Sequence, residues 1–262
     1  MYYLPKFFCP KYTTNLIRLG DEYDGGYCVS KNSIKKSNIL LSFGVGDNWS
    51  FEREFKKFKI IKIICFDNSV NITFWIKRLI KDILKFKLKE NYFDQISNFF
   101  KYFDFLLFFS KKNNFLIKKN ITKNFNKQKK SYKFERVDNI LDKLRNKKVF
   151  LKVDIEGSEY EILNSVLKFQ KNLTGLVIEF HNCYKNKSQI IKFIRSFKLD
   201  LVHIHVNNFC SIEKSGFPTV FELTFSPRQF NRVRKKNDMK FPNKKIDSPN
   251  NKYFSDEKLF FV

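Results

Sequence analysis

Cysteine is scarce in this sequence, and its spacing follows no paired pattern. The chain carries five cysteines, an odd number, and no two of them form a CxxC pair. Disulfide frameworks use even sets of cysteines and cysteine-based zinc sites use closely spaced ones, so neither is predicted. A protein of a reducing compartment fits this pattern, and we expect a cytoplasmic location. The cysteines are Cys9, Cys28, Cys65, Cys183 and Cys210.

Long apolar runs are also missing. No stretch reaches the roughly eighteen apolar residues that a transmembrane helix needs. The richest run, Phe105–Phe109, is short and lies between Asp104 and Lys111. The first residues lack the apolar run and the small-residue cleavage site of a signal peptide. The sequence therefore predicts neither a membrane span nor secretion.

Acidic residues are too few to balance the basic ones. Asp and Glu number 26 against 51 Lys and Arg, which gives a formal net charge of +25. Such a charge favours nucleic acid or another anionic surface as a partner. The basic residues are spread along the whole chain, however. A general bias in amino-acid composition therefore explains them better than a single element that binds a polyanion. We expect no specific nucleic-acid partner, and peripheral contact with an anionic surface is the alternative.

Apolar residues make up 43% of the chain, enough for a sizeable core in one domain spanning residues 1–262. Short β-branched and aromatic runs alternate with segments of helical periodicity. This alternation is typical of an α/β fold with a mostly parallel sheet and helices on both faces. The last two strands are joined by Asn207–Thr219, which shows no helical pattern, so we expect an antiparallel pair. The predicted strands are Ile39–Phe43, Ile60–Phe66, Val149–Val153, Leu176–Phe180, Leu201–Val206 and Val220–Phe225.

Three segments depart from this alternation. Residues 1–36 are predicted to form an N-terminal hairpin that covers the sheet, with a tight turn at Asp24–Tyr27. Residues 70–130, rich in Lys, Phe, Asn and Ile, are interpreted as an inserted helical layer. We expect a packed cover there, and a lid or an amphipathic membrane-surface patch is the alternative. Residues 228–262 are interpreted as a basic, irregular tail.

A glycine-containing loop follows the first predicted strand. Gly44 and Gly46 let the backbone turn tightly and approach a ligand closely. A dinucleotide fingerprint would place a third glycine where this chain has Trp49, so an NAD site is disfavoured. The next strand ends at Asp67, which is suited either to accept hydrogen bonds from a ribose diol or to begin a turn or helix.

The most specific motif is VFLKVDIEGSEYE at residues 149–161. A buried strand brings Asp154 to its carboxyl end, and Glu156, Gly157 and Glu159 follow. In open α/β sheets, ligands bind beyond the carboxyl ends of the strands, so a polar site is expected here. Acidic residues at the start of a helix also complement the helix dipole, which explains Glu159 better than Asp154.

Extended to residue 163, this motif resembles the signature of the FkbM-type S-adenosylmethionine-dependent methyltransferases. RLGDEYDGGYCV (18–29), LSFGVGDNWSFE (41–52) and LVHIHVNN (201–208) occur in the order that one branch of that family shows. The resemblance implies a Rossmann-like class I methyltransferase fold, with a seven-stranded, mostly parallel sheet whose last strand is antiparallel. It also implies S-adenosylmethionine as cofactor and O-methylation, often of a sugar hydroxyl in a surface glycan or a secondary metabolite.

The resemblance also assigns roles to individual residues. Gly44 and Gly46 match the cofactor loop, and Asp67 matches the ribose acid. Asp154 and Glu156 match the acids of the signature. The cofactor-binding residues predicted on this basis are Phe43, Gly44, Gly46, Asp47, Asp67, Asp154 and Glu156.

All three histidines of the chain lie near strand ends in its later part. Methylation of a hydroxyl needs a base or a metal, because an alcohol is a weak nucleophile. We predict that Asp154, His181 and His205 are catalytic, although strand histidines are commonly hydrogen-bonded core residues. The alternative is Mg²⁺ or Mn²⁺ held by Asp154, Glu179 and His205. The predicted acceptor-binding residues are Tyr27, Glu179, Asn207 and Asn208.

The sequence thus predicts a methyltransferase that moves a methyl group from S-adenosylmethionine to a hydroxyl of a small-molecule or glycan acceptor. Two alternatives are a nucleic-acid methyltransferase and a non-catalytic nucleotide- or glycan-binding protein of the same fold. Base methylation usually uses an Asn/Asp-Pro-Pro-aromatic turn after the fourth strand, where this chain has Asp154–Gly157. A non-catalytic relative would be expected to lose its glycines and acids, and Gly44, Asp67 and Asp154 are present.

Overall fold

A sheet of seven strands forms the centre of the chain in this computed structural model, which describes residues 2–87, 92–125, 132–209, 216–235 and 240–262. In chain order the strands are β1 (Ile39–Phe43), β2 (Lys62–Phe66), β3 (Asn114–Ile117), β4 (Val149–Val153), β5 (Leu173–Phe180), β6 (Asp200–Val206) and β7 (Phe221–Ser226). They lie side by side in the order β6-β7-β5-β4-β1-β2-β3, and of these strands only β7 runs antiparallel to its neighbours. This order confirms the predicted Rossmann-like class I methyltransferase fold.

Helices cover both faces of the sheet. They are α1 (Lys31–Lys36), α2 (Ser50–Phe58), α3 (Ile72–Lys87), α4 (Tyr92–Phe109), α5 (Val137–Asp142), α6 (Glu159–Phe169) and α7 (Lys187–Ser196). On one face Ile162 of α6 packs in the same core as Leu151 of β4, and on the other Phe55 of α2 contacts Phe150. Burial on both sides explains why β1 and β4 are apolar almost throughout. None of the described helices has the length and apolar character needed to cross a membrane.

The structure differs from the predicted elements mainly in residues 70–130. Helices α3 and α4 occupy the first part of this segment, but Asn114–Ile117 forms β3 at the edge of the sheet. The helical interpretation of the whole segment is therefore wrong for β3. The strand is short, and no glycine or proline separates it from the apolar end of α4, so the sequence pattern does not mark it. Residues 88–91 and 126–131 of the segment lie outside the described residues.

The N-terminal segment forms a hairpin on the sheet. Leu16–Leu19 and Tyr27–Ser30 pair as antiparallel strands. The side chain of Tyr27 is buried, and the hydroxyl of Thr224 in β7 donates to the carbonyl oxygen of Cys28 at 2.5 Å. The hairpin therefore brings Tyr27 onto the same sheet face as the polar residues of β5 and β7.

Further pairs of short strands connect the remaining described segments. Tyr2–Leu4 pairs in parallel with Leu259–Phe261, Tyr12–Thr13 pairs antiparallel with Arg232–Val233, and Asn120–Thr122 pairs in parallel with Phe134–Arg136. The C-terminal segment, residues 228–262, thus lies against N-terminal residues at both of its short strands. Phe241, between them, is buried.

Candidate functional site

The loops after β1 and β4 meet at the carboxyl edge of the sheet. The amide of Asp154 donates to the carbonyl oxygen of Phe43 at 2.8 Å. Gly44 has a φ of 79°, and a Cβ atom there would lie 1.6 Å from the carbonyl oxygen of Asp154, so only glycine fits. After β1 the chain continues into α2 on one face of the sheet. After β4 it continues into α6 on the other face. This divergence makes the point between the two loops the switch point at which open α/β sheets bind ligands.

Asp67, at the tip of β2, anchors the loop after β1. Its Oδ2 accepts hydrogen bonds from the amides of Val45 at 2.8 Å and Gly46 at 2.7 Å. Its Oδ1 accepts bonds from the amide and the hydroxyl of Ser69, both at 2.6 Å. Burial alone would raise the pKa of this carboxyl, but the hydrogen bonds outweigh it and hold the pKa below its ordinary value. The predicted ribose acid and the predicted cofactor loop therefore form one hydrogen-bonded unit.

A buried lysine lies beneath this loop. Lys152 projects from β4, and its Nζ donates to the carbonyl oxygen of Gly44 at 2.7 Å and lies 3.7 Å from Oδ2 of Asp154. Its ammonium also lies 5.2 Å from the centre of the Tyr27 ring. Burial works against its charge, but the negative charges of Glu52 and Asp154 outweigh it and raise the pKa of Lys152. Lys152 is thus a permanent positive charge that ties the loop to the acid.

Tyr27 joins two acids at the edge of the sheet. Its hydroxyl lies 2.8 Å from Oδ2 of Asp154 and 3.1 Å from Oε2 of Glu179. A phenol carries one proton, so both contacts are hydrogen bonds at once only when one carboxyl is itself protonated and donates to the phenolic oxygen. Burial and the charges of both acids raise the pKa of Tyr27 well above its ordinary value, so the phenol keeps its proton.

Glu179 is the acid best placed to carry that additional proton. Its side chain is buried, and its Oε1 accepts a hydrogen bond from the amide of Asn207 at 2.9 Å. Burial, followed by the negative charges of Asp154 and Glu222, raises the pKa of Glu179 to about 8. Glu179 therefore changes its charge near neutral pH, unlike an ordinary glutamate.

His181, directly after β5, lies among three glutamates. Its Nδ1 lies 2.9 Å from Oε1 of Glu159, and its Nε2 lies 3.3 Å from Oε2 of Glu156 and 3.9 Å from Oε1 of Glu179. Burial alone would lower the pKa of this histidine, but the hydrogen bond and charge of Glu159 and the charge of Glu179 raise it to about 9. His181 is therefore an imidazolium at neutral pH, and its charge faces Glu179.

Backbone strain is found in the same two loops. Glu156 and Asn182 have φ angles of 51° and 52°, in the left-handed region that residues other than glycine rarely adopt. A Cβ atom at Gly157 would lie 3.6 Å from Nδ2 of Asn182, so the two loops are in contact. Such strain costs on the order of 1–3 kcal/mol per residue and is concentrated at functional sites in proteins. It is here that Glu156 and His181 face each other.

The structure brings many of the predicted site residues into one group at the carboxyl edge and places others elsewhere. Those in contact with one another are Tyr27, Asp154, Glu156, Glu179, His181 and Asn207. Asp47 instead pairs with Arg78 of α3 and lies 3.5 Å from Nζ of Lys101 of α4. The side chain of Asn208 donates to carbonyl oxygens of the C-terminal segment, and Phe43 packs on Phe66.

His205 lies apart from His181. Its ring is buried, with Nε2 at 3.0 Å from Oδ2 of Asp256 and Nδ1 at 3.7 Å from Oε2 of Glu222. His203, two residues earlier on the same face, makes a similar contact with Asp247 at 3.0 Å. The two histidines thus hold the C-terminal segment on the sheet. The catalytic role of His205 stays a prediction, and these contacts give it a structural role.

The predicted metal ligands are not brought together. Asp154, Glu179 and His205 do not form a cluster, because the ring of His205 is turned toward Asp256. Among the described residues, two other groups have ligand atoms within 4.8 Å of one another. These groups are Asp154, Glu156 and His181, and Cys28, His203 and Asp247.

Two residues of the group are absent from the predicted site. Lys152 had a signal in the sequence, since a lysine within the apolar run VFLKV is expected to be buried with a partner. Glu159 is explained only in part by the helix dipole. Its Oε1 accepts hydrogen bonds from the amide of Gly157 at 3.0 Å and from His181, so it also fixes the loop and orients the imidazole.

Comparison with known proteins gives one family match. The Methyltransferase FkbM domain family matches residues 90–235, more than half of the chain. The matched part includes β4 to β7 and therefore Asp154, Glu179 and His181, whereas Gly44 and Asp67 precede it. No curated protein matches the sequence.

Several solved structures resemble the chain at low identity. An rRNA methylase from Streptococcus thermophilus is 10% identical over 75% of this chain and 92% of that chain, with a TM-score of 0.37. A precorrin-6y C5,15-methyltransferase from Geobacter metallireducens is 14% identical over 75% of this chain and 83% of that chain, with a TM-score of 0.37. A chain of a fibrillarin/Nop5p complex is 8% identical over 79% and 90%, also with a TM-score of 0.37.

Proposed function

This chain belongs to the FkbM methyltransferase family, and on that premise we propose that it transfers the methyl group of S-adenosylmethionine to a hydroxyl of a sugar-containing acceptor. The observation that carries the proposal is the connected group at the carboxyl edge, in which Tyr27 links Asp154 to Glu179 beside His181. A hydroxyl must lose its proton when it is methylated, and this group contains a glutamate, Glu179, whose pKa is raised to about 8.

The residues at the switch point suit a nucleoside cofactor. A Cβ atom at Gly46 would find no heavy atom within 4 Å, so there is room above the loop. Oδ1 of Asp67 is bonded to the hydroxyl of Ser69, a side chain that can rotate away, and a ribose hydroxyl can take its place. When bound, S-adenosylmethionine supplies a methyl group activated by a sulfonium centre. The protein then has to align the acceptor and remove its proton.

We assign the removal of the proton to Glu179. Its raised pKa makes its carboxylate a stronger base than an ordinary glutamate, and its titration lies close to the working pH of an enzyme. The imidazolium of His181, 3.9 Å from Oε1 of Glu179, favours the ionised form that accepts the proton. Glu159 holds His181 in this orientation through Nδ1. His181 thus acts on the reaction through Glu179.

The acceptor is proposed to enter from the side of Glu156. The side chain of Glu156 is 85% exposed, whereas His181 beside it is 14% exposed, so the open side of the group lies there. Tyr27, Glu179 and Asn207 offer a phenol, a carboxyl and an amide, which together both donate and accept hydrogen bonds. Sugar hydroxyls do the same, which supports a sugar-containing acceptor.

The test is the formation of S-adenosylhomocysteine by the purified protein with a panel of nucleotide sugars and oligosaccharides. We expect turnover with at least one of them and a loss of about a hundredfold or more in Glu179→Gln, which keeps the shape of the side chain. Binding of S-adenosylhomocysteine should persist in that variant. Turnover on RNA alone would overturn the sugar acceptor, and failure to bind S-adenosylhomocysteine would favour a non-catalytic protein.

A further inference from the structure

Helix α4 presents an apolar stripe to solvent. Phe100, Phe103 and Leu107 recur at i, i+3 and i+7 and are 64%, 46% and 64% exposed. Leu106, beside them, is 45% exposed. We name these four residues the α4 stripe. They lie apart from Phe105, which is buried and forms the core side of the same helix.

Helix α3 repeats this arrangement next to α4. Ile72, Ile76 and Ile80 recur every four residues and are 58%, 48% and 52% exposed. Trp75, on the inner side of α3, contacts Phe105 of α4 at a ring distance of 5.3 Å. Two packed helices thus share a buried aromatic seam and each expose aliphatic or aromatic side chains. Scattered apolar residues are ordinary on a protein surface, but rows at helical spacing on two neighbouring helices indicate a contact surface.

A basic cleft adjoins the α4 stripe. It encloses about 630 Å³, and its wall includes Leu107 of the stripe. The other lining residues are Arg53, Lys56, Lys57, Asp104, Phe108 and Lys111. Asp104 pairs with Arg53. Partial burial and the charge of Lys111 lower the pKa of Lys56, so cations of this cleft repel one another. We name it the basic cleft.

We propose that the α4 stripe and the basic cleft form a docking surface for an anionic lipid bilayer. The stripe would insert into the boundary between headgroups and acyl chains, and the lysines of the cleft would contact lipid phosphates. The net charge of +25 favours an anionic surface and disfavours a second copy of this chain as the occupant. Single-stranded RNA binds by stacking on aromatic rings, and in the stripe only Phe100 and Phe103 offer such rings. Leu106, Leu107 and the isoleucines of α3 offer no stacking surface and suit contact with acyl chains.

The test is sedimentation of the full chain with vesicles of phosphatidylcholine alone or with 30% phosphatidylglycerol, at about 0.1 M and 0.5 M salt. We expect binding to the anionic vesicles that weakens at the higher salt. The double substitution Leu106→Ser and Leu107→Ser should weaken it at least tenfold. The matched control is Val233→Ser, which removes a 73% exposed apolar side chain from the short strand that pairs with Tyr12–Thr13.

Charge is tested separately from insertion. Lys57→Gln with Lys111→Gln should weaken binding at least fivefold, whereas Lys147→Gln with Lys148→Gln removes the same charge elsewhere on the surface and should have a smaller effect. Equal effects of the two lysine pairs would overturn the basic cleft as the contact. The proposal would be overturned if the protein bound both vesicle types equally or bound neither. It would also be overturned if the protein formed a dimer in the absence of vesicles and the substitutions Leu106→Ser and Leu107→Ser abolished that dimer. Circular dichroism checks that each variant is folded.

Discussion

The hydroxyl of Tyr27 lies 2.8 Å from Oδ2 of Asp154, a contact that joins residues 127 positions apart in the sequence. The same hydroxyl lies 3.1 Å from Oε2 of Glu179. An N-terminal hairpin therefore places a hydroxyl between two carboxyls of the sheet. Without that hydroxyl the ionised acids would lose a hydrogen-bond donor, and ionisation of the second acid would become harder.

Turnover should rise with pH through about 8, because Glu179 must be ionised to accept a proton. In Tyr27→Phe the loss of the hydroxyl removes a hydrogen bond to the ionised acids, so the midpoint of this rise should move to higher pH. The measurement is kcat against pH with saturating acceptor. Tyr23→Phe, at an exposed tyrosine of the same hairpin turn, is the matched control. A profile without a rise near pH 8 would contradict the assignment of Glu179.

His181→Gln should move the midpoint of the same kcat profile to higher pH, because the positive charge that favours the Glu179 carboxylate is lost. Turnover at pH 7 should fall by about a hundredfold, at the lower end of the range for general acid–base groups. Affinity for S-adenosylhomocysteine, measured by calorimetry, should change little. His203→Gln replaces another histidine outside the group and should leave the shape of the profile unchanged. A lower kcat with an unshifted profile would argue that His181 does not act through Glu179.

Asp67 anchors the loop after β1 and is proposed to accept a hydrogen bond from a ribose hydroxyl, and different substitutions separate these two roles. In Asp67→Asn the remaining oxygen can still accept from the amides of Val45 and Gly46, but the acceptor for a ribose hydroxyl is lost. Affinity for S-adenosylhomocysteine should fall about tenfold to a hundredfold. Ser69→Ala frees Oδ1 of Asp67 and should leave affinity equal or higher. If Asp67→Asn binds as tightly as the wild type, Asp67 serves only to anchor the loop.

Two glycines of one loop differ in what surrounds them, and this predicts unequal costs of substitution. Gly44→Ala would place a Cβ atom 1.6 Å from a backbone oxygen, whereas Gly46→Ala places it in open space at a φ of 57°. We expect Gly44→Ala to lower the free energy of unfolding by at least about 2–3 kcal/mol and Gly46→Ala by about 1 kcal/mol. Urea denaturation measures both. Equal losses would show that the two loops do not approach each other so closely.

His205 should make stability depend on pH. Burial alone would lower the pKa of His205, but its hydrogen bond with Asp256 and the nearby charge of Glu222 raise it to about 10 from an ordinary value of 6.5. A raised pKa stabilises the fold below pH 6.5, and that contribution is lost as the pH rises from 6.5 towards 10. The difference in Tm between the wild type and His205→Gln should therefore narrow over that range. A constant difference would mean that the ring is neutral in the folded protein.

The fold could be predicted from the sequence where burial of a strand requires a run of apolar residues. β1 and β4 begin and end at the predicted residues, because strands buried on both faces are apolar and end in glycine or acid. β3 could not be predicted from the sequence, since an edge strand is only partly buried and this one follows an apolar helix. Propensity and periodicity do not distinguish Phe115–Ile117 from the end of α4.

Of the candidate site, only the residues at the ends of strands could be predicted from the sequence. Glu179 and His181 follow from the carboxyl-edge rule once β5 is known. His205 satisfies the same rule, but its partner Asp256 comes from an irregular segment whose course no sequence pattern specifies. The sequence thus indicated which side chains reach the edge of the sheet. It did not indicate which of them another segment covers.

The parallel pairing of Tyr2–Leu4 with Leu259–Phe261 joins residues more than 250 positions apart in the sequence. During synthesis this contact forms only after residues 259–261 have been added to the chain. During synthesis, β1 to β5 and the loop around Gly44 leave the ribosome well before the residues that cover His203 and His205. A growing chain can therefore build the half of the sheet that holds the loop around Gly44 while the β6–β7 edge still lacks its covering segment.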